Sequence, residues 1–110
     1  MSKSDRKELE SRLSTIIQHL LKLEHLPHLY SYNQRVWKNT VGRERGNLLA
    51  LLDDRKPGLK PRLNEELISK SYKDALAEVV AEFPGTEFPR SCPYVVDQVV
   101  GKEISELLTR

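Results

Sequence analysis

The sequence predicts an all-α protein, an up-down antiparallel helical bundle with three long helices and a short C-terminal helix. Apolar residues recur every three or four positions along three long segments, which is the periodicity of amphipathic helices. Breaks at Pro57-Gly58 and Pro84-Gly85 bound these segments, and short connections of this kind favour antiparallel neighbours. The 110 residues suit a single domain that spans residues 1–110.

The first predicted helix covers SDRKELESRLSTIIQHLLKLEHL. Ser4 is a suitable N-cap, and Asp5 and Glu8 lie near the start, where carboxylates favour the helix dipole. Pro27 ends the segment because proline cannot continue a helix. The apolar stripe consists of Leu9, Leu13, Ile16, Ile17, Leu20 and Leu21.

The second predicted helix runs from about Tyr32 to Asp53, and its apolar face holds Trp37, Val41, Leu48, Leu51 and Leu52. Gly42 and Gly46 lie off that face and weaken the helix. The third covers RLNEELISKSYKDALAEVVAEF, with a broad apolar face made of Leu67, Ile68, Tyr72, Ala75, Leu76, Val79 and Phe83.

The last predicted helix runs from Pro93 to Val100, because proline suits the first helical position. This placement puts Cys92 or Ser91 near the N-cap. Gly101 interrupts or ends the helix, and EISELL adds a further turn or two. The valines of YVVDQVV also fit a strand, but no partner strand exists elsewhere in the sequence.

Composition narrows the class of protein. The net charge of +2 is too small for a dedicated nucleic-acid binder, and the acidic and basic residues are interspersed. Cys92 is the only cysteine, so no internal disulfide can form, and a free thiol fits a reducing cytoplasm. No apolar run could span a membrane, and the N-terminus lacks the apolar core of a signal peptide. A soluble cytoplasmic protein without a cofactor is expected.

The order of segments resembles the bacterial family, abundant in cyanobacteria, that is catalogued as domain of unknown function number 29. The pattern combines ELESRL and HLLK, a tryptophan, LL before a proline-containing turn, Y.DA and FP..CPY...QV. The matching residues are Glu10, Arg12, Leu13, His19, Leu20, Leu21, Lys22, Trp37, Thr40, Val41, Arg45, Tyr72, Ala75, Phe88, Pro89, Cys92, Pro93, Tyr94 and Gln98. The resemblance covers nearly the whole chain and implies an all-α bundle, without implying an activity.

Members of that family usually carry a further N-terminal stretch with acidic and aromatic helices. This chain begins inside the corresponding region, at MSKSDRKEL, as a short or truncated member would. A bundle without those helices would leave apolar surface uncovered. We therefore expect a homo-oligomer, a dimer or larger.

Arg12 and His19 form the first candidate site, since they lie two helical turns apart on one flank of the apolar stripe. An arginine and a histidine at such spacing resemble the motif of small helical bacterial ribonucleases. In those enzymes the histidine handles a proton and the arginine stabilises phosphate charge. Leu13 departs from that motif, which usually has a polar residue after the arginine. The structural alternative, which we favour, is that both side chains serve helix packing.

His25 and His28 have the i, i+3 spacing of a metal pair. Pro27 breaks the helix that would align them, and no acidic or cysteine cluster completes a ligand set, so no metal site is predicted. Cys92 at a helix N-terminus would have a lowered thiol pKa, as a reactive thiol does. A structural role is favoured for Cys92, because cysteine is among the most buried residue types.

Charged residues on the second helix form the last candidates. Glu44 and Arg45 lie inside or beside the apolar face of the second helix that contains Trp37, and a charge on an apolar face needs a partner. Glu44 could pair with an arginine on another helix, or Arg45 could pair with Glu10. The basic and aromatic residues of the region could serve RNA, although a solvated face is favoured; they are Tyr30, Tyr32, Arg35, Trp37, Lys38, Arg43 and Arg45.

The sequence thus predicts an interaction or oligomerisation module without catalysis. Its structural or interaction candidates are Trp37, Glu44, Arg45, Cys92 and Tyr94. The alternative is a metal-independent ribonuclease of toxin type that uses Arg12 and His19. An unidentified protein partner is possible, whereas nucleic acid and membrane are not expected as partners.

Overall fold

The computed structural model describes residues 3–26, 31–53 and 59–108. Within these ranges the chain forms five α-helices and no strand, which confirms the predicted all-α class. The helices are α1 Lys3–His25, α2 Ser31–Asp53, α3 Glu65–Glu82, α4 Val96–Val100 and α5 Lys102–Leu108, and a short 3-10 helix at Lys60–Arg62 precedes α3.

Helix α1 is the centre of the bundle, because both α2 and α3 pack against it. The α1 side chains Arg12 and Lys22 contact Glu44 and Trp37, respectively, so α2 runs antiparallel to α1. Five of the six members of the predicted apolar stripe of α1 have an exposed fraction of 1% or less: Leu9, Leu13, Ile16, Ile17 and Leu21. The sixth, Leu20, is partly buried against the core.

Helix α3 runs in the same direction as α1, as the third member of an up-down-up bundle must. Glu10 and Lys22 of α1 pair with Lys70 and Glu82 of α3, at opposite ends of the contact. The short helices complete the core, with α4 packed against α1 and α5 against α2. Their buried apolar residues are Val99, Val100 and Ile104.

Helix α3 begins later than the sequence pattern indicates. Asn64 has an extended backbone, and its side-chain oxygen accepts a hydrogen bond from the Leu67 N–H at 2.9 Å, which makes it the N-cap. Arg62, the predicted start, lies in the 3-10 helix instead. At the other end α3 stops at Glu82, and Gly85 follows with a φ of 94°. The predicted Pro84-Gly85 stop is thereby confirmed.

The predicted start of the last helix is wrong. Pro93 lies outside α4, which begins at Val96, three residues further on. Val95 has an extended backbone and acts as the N-cap, and its N–H donates to the side-chain oxygen of Gln98 at 2.9 Å. Gly101 interrupts the helix as predicted, so the C-terminal part consists of α4 and α5.

Replacing Gly101 with alanine should lower the free energy of unfolding by about 1–3 kcal/mol, because its φ of 88° and ψ of 173° lie in a region that is essentially restricted to glycine. Gly101 has a φ of 88°, and an added Cβ would lie 3.2 Å from Cδ and Nε of Arg45. Urea denaturation would measure the loss. Gly46→Ala is the matched control, because no atom lies within 4 Å of its Cβ position. Equal effects of the two substitutions would contradict the strained geometry.

None of the helices in the described ranges is long and apolar enough to cross a membrane.

Candidate functional site

Arg12 joins α1 to α2 through an ion pair. Its Nη1 donates to Oε2 of Glu44 at 2.8 Å, and its Nε donates to Oε2 of Glu8 at 3.1 Å. The hydrogen bond to Glu44 is the main cause of a raised Arg12 pKa. The Glu44 side chain is only 12% exposed, and Arg12 is its closest compensating charge; the exposed Arg43 lies further away, with its Nε 4.0 Å from Oε1 of Glu44. The prediction that Glu44 pairs with an arginine on another helix is confirmed.

His19 is half-buried and bonded to its own helix. The ring Nδ1 lies 2.7 Å from the carbonyl oxygen of Thr15. A carbonyl oxygen only accepts, so Nδ1 carries the hydrogen, and in the neutral ring Nε2 keeps its lone pair. Burial is the main cause of a lowered His19 pKa. The Arg12 guanidinium binds the two carboxylates described above, and the structure shows no hydrogen bond between Arg12 and His19.

His19 should make stability depend on pH. Because its pKa is lowered in the folded state, protonation favours unfolding. The stability that neutral His19 contributes is fully present above its unfolded-state pKa of about 6.5, and it is lost as the pH falls below that value towards the lower pKa of the folded state. Urea denaturation at pH 7.5 and 5.5 should therefore show a larger acid loss for the wild type than for His19→Gln. The same acid loss in both proteins would contradict this role.

Arg45 stabilises the end of α4. Its Nε donates to the Val99 carbonyl at 3.0 Å, and its Nη2 donates to the Gln98 carbonyl at 2.7 Å. Carbonyls in the last turn of a helix lack partners within the helix, and a cation there also interacts favourably with the helix dipole. Burial lowers the pKa of Arg45. The predicted pair with Glu10 is wrong, since Glu10 binds Lys70 at 3.0 Å.

Trp37 contributes to a feature that we call the Lys22 cage, made of Lys22, Trp37, Glu82 and Phe83. The Lys22 Nζ lies 5.9 Å from the Trp37 ring centroid and 5.8 Å from that of Phe83. The two rings meet edge to face at 6.5 Å. Glu82 Oε2 lies 3.0 Å from the ammonium group, which is buried with a residue exposure of 6%. The cage therefore compensates a buried cation with aromatic faces and one carboxylate.

The segment between α3 and α4, residues 83–95, is fastened to the bundle at several points. The Tyr72 hydroxyl donates to the Pro89 carbonyl, and the His25 and Phe88 rings pack edge to face at 5.5 Å. The Tyr94 hydroxyl donates to Oε2 of Glu24 at 2.6 Å. Burial is the main cause of raised tyrosine pKa values, with that of Tyr72 reaching about 12. Both hydroxyls therefore remain protonated donors at neutral pH.

Cys92 lies within this segment and not at a helix N-terminus. Its Sγ donates to the Tyr94 carbonyl at 3.3 Å, and burial raises the pKa of the thiol. The lowered pKa that a helix N-terminus would cause is therefore not found. A protonated, half-buried thiol is a weak nucleophile, and its contacts hold the segment in place.

The remaining sequence hypotheses concern metal and RNA. In the part of the chain that the structure describes, no three histidine, cysteine, aspartate or glutamate side chains converge to hold a metal ion. His28 and Tyr30 lie outside the described residues, as does the side chain of Tyr32.

For the RNA hypothesis, Trp37 is only 7% exposed and cannot stack on a base. Arg35, Lys38 and Arg43 are exposed on α2, as a solvated face requires, whereas Arg45 is not part of that face.

A shallow groove of about 340 Å³ lies between α2 and the junction of α4 with α5, and we call it the α2–α5 groove. It is lined by Gly42, Arg45, Gly46, Leu49, Val100, Gly101, Lys102, Glu103 and Ile104. Gly42 and Gly46 lie one helical turn apart and are both exposed. A Cβ added at either glycine would meet no atom within 4 Å.

The family model described as Domain of unknown function DUF29 matches residues 1–104. The chain belongs to this family. The match includes every candidate residue described above, and it confirms the resemblance drawn from HLLK, Trp37 and CPY. No curated protein and no solved structure matches this DUF29 member.

All five structural or interaction candidates predicted from sequence have contacts that stabilise the fold: Trp37, Glu44, Arg45, Cys92 and Tyr94. Sequence reasoning missed the Lys22 cage. Lys22 follows directly after the buried Leu21, and this position beside the stripe was the only available signal. The partners of Lys22 lie in two distant parts of the chain, Trp37 on α2 and Glu82 with Phe83 at the end of α3, so helical spacing could not identify them.

Proposed function

We propose that this DUF29 domain is a protein-interaction module that assembles with a second copy of itself through the α2–α5 groove, without catalysis. The observation that carries the proposal is the exposed glycine pair, Gly42 and Gly46, at an apolar groove. We further expect the module to work in the cytoplasm without a cofactor.

The contacts of the polar candidates support a role outside catalysis. Arg12 binds two carboxylates, Arg45 binds two carbonyls, and the Cys92 thiol has a raised pKa. A catalytic group would need a pKa near the working pH and a free atom directed at a substrate. Arg12, Arg45 and Cys92 do not meet these conditions, whereas neutral His19 keeps a lone pair on Nε2.

Gly42 and Gly46 lower the stability of α2, and no contact within the described monomer compensates for this loss. A glycine within a helix is less favourable than alanine by about 1 kcal/mol. The Cβ positions of Gly42 and Gly46 are open, so packing within the described chain does not require glycine at either position. A helix of another molecule that packs closely against α2 would require glycine there, since small residues allow two backbones to approach each other.

The rim of the groove suits a second copy of the same chain. Lys102 and Glu103 are adjacent, exposed and of opposite charge, and neither has an ion-pair partner among the described residues. Across a twofold axis, Lys102 of one copy could pair with Glu103 of the other, and the reverse pair would form by symmetry. A self-complementary rim favours an isologous dimer.

Light scattering after size-exclusion chromatography, over a range of micromolar concentrations, tests the proposal. We expect a dimer for the wild type and a monomer for Gly46→Leu, whose side chain would fill the groove. Gly46→Leu should keep or raise the thermal midpoint, because leucine is the better helix former. Loss of the dimer with a folded monomer separates an interface effect from unfolding.

Ala77→Leu is the matched control, since Ala77 is an exposed small residue on α3 and does not line the groove. This variant should dimerise like the wild type. A monomeric wild type at all concentrations would exclude self-association, and a Gly46→Leu dimer would exclude the groove as its interface.

The ribonuclease alternative has one observation in its favour. The neutral His19 ring donates from Nδ1 to Thr15 and keeps a lone pair on Nε2, which a general base requires. Arg12 is less suitable, because Glu44 and Glu8 already compensate its charge. Labelled RNA in EDTA, incubated with wild type and with His19→Ala, decides the point. Cleavage by the wild type that is absent in the variant would establish the enzyme and refute the non-catalytic proposal.

A further inference from the structure

A second cavity, of about 240 Å³, lies where the N-terminal ends of α1 and α3 meet, and we call it the α1–α3 cavity. The partly exposed Leu67 supplies most of the apolar lining, whereas Leu9 lies behind it and is almost fully buried, with an exposed fraction of 1%. Drug-sized ligands occupy pockets of roughly 300–1,000 Å³. This cavity therefore suits a smaller molecule with an apolar part.

Two arginines from different elements line the same cavity. Arg6 belongs to α1, and Arg62 belongs to the 3-10 helix that precedes α3. Neither guanidinium has a hydrogen bond or an ion pair with any residue that the structure describes. Both side chains are exposed to solvent, which screens their mutual repulsion, and both keep N–H donors for an anion that enters the cavity.

The carboxylates in the lining do not pair with these two guanidinium groups. Glu10 is held by Lys70 at 3.0 Å, so that pair is neutral overall. Glu66 lines the cavity but forms no ion pair with Arg6 or Arg62. The three positive and two negative side chains of the lining therefore leave one net positive charge, and the Arg6 and Arg62 guanidinium groups have N–H donors without a partner among the described residues.

We propose that the α1–α3 cavity binds a small amphipathic anion, a carboxylate or phosphate attached to a short apolar chain. Arg6 and Arg62 donate to the anionic oxygens, since guanidinium groups match planar and tetrahedral oxyanions with paired N–H donors. The apolar chain lies against Leu67. The cavity shares no lining residue with the α2–α5 groove, so this site does not depend on the proposed dimer.

The experiment follows backbone amide signals of the full ¹⁵N-labelled chain by NMR at constant ionic strength. The probes are sodium hexanoate, hexyl phosphate, sodium acetate and neutral hexanol. We expect saturable shifts around the cavity with hexanoate or hexyl phosphate, and the tighter of the two identifies the headgroup. Acetate should bind more weakly, by about fourfold for each buried methylene that it lacks. Hexanol should not saturate.

Arg6→Gln and Arg62→Gln should each weaken hexanoate or hexyl phosphate binding about tenfold, because each removes a charge-assisted hydrogen bond. Arg35→Gln is the matched control, since Arg35 is an exposed arginine on α2 away from the cavity. An equal loss in Arg35→Gln would show a general salt effect and overturn the site. Hexanol binding as tight as hexanoate, or no saturable shift with any anion, would overturn it as well. The hexanol comparison uses wild-type protein and needs no variant to fold.

Discussion

Trp37→Ala is expected to lower the free energy of unfolding by about 3–5 kcal/mol, the largest effect of any substitution considered. Trp37 is 7% exposed, so the truncation leaves a cavity between α1, α2 and the end of α3. It also removes one of the two rings beside the Lys22 ammonium group. A domain of this size has a total stability of about 5–15 kcal/mol, so the variant should be near unfolding at 37 °C.

Urea denaturation followed by circular dichroism measures this loss. Trp37→Phe serves as the control, because it keeps an aromatic ring beside Lys22 and leaves a smaller cavity. Its loss should be clearly smaller than that of Trp37→Ala. Equal losses would mean that the indole volume matters and that the ring over the Lys22 cation does not.

Glu44→Ala is expected to lower the free energy of unfolding by about 2–3 kcal/mol. The substitution removes the carboxylate that lies 2.8 Å from the Arg12 Nη1 atom. Arg12 then keeps only Glu8, whose side chain is 44% exposed and therefore compensates it weakly. Chemical denaturation of Glu44→Ala, of Arg12→Ala and of the variant that carries both alanines would give the coupling energy between Arg12 and Glu44.

The double variant Arg12→Met with Glu44→Leu gives the sharper comparison. An apolar pair of similar volume often replaces a buried ion pair with little loss, whereas removing one partner leaves a charge uncompensated. We therefore expect the double variant to be more stable than Glu44→Ala. A double variant that is less stable than either single variant would show that the ion pair stabilises the helix contact beyond charge compensation.

The long helices could be predicted from sequence because their apolar residues follow one period over many turns. Leu13, Ile17 and Leu48 are fully buried on the faces where spacing placed them. Helix ends were harder to predict, because they depend on single side chains. The Asn64 side chain caps α3, and the Gln98 side chain accepts from the N–H of the α4 N-cap residue Val95; neither was distinguishable from its neighbours by periodicity.

For the candidate site, the sequence predicted only that a charged residue on an apolar face needs a partner of opposite charge. That argument identified Glu44 correctly, since an arginine on the next helix was within reach. It gave Arg45 the wrong partner, because the carbonyls of Gln98 and Val99 carry no sequence signal. Backbone atoms can accept from any arginine, so only the three-dimensional structure reveals such a contact.

The contact between Arg45 and α4 has a consequence for how the molecule opens. Helix α4 has five residues, and a helix of that length does not persist alone in water. Its last carbonyls are held by a side chain that lies more than fifty positions earlier in the chain. The amide protons of α4 should therefore exchange with solvent only when its contact with α2 is lost, so that two segments distant in sequence open as one cooperative unit.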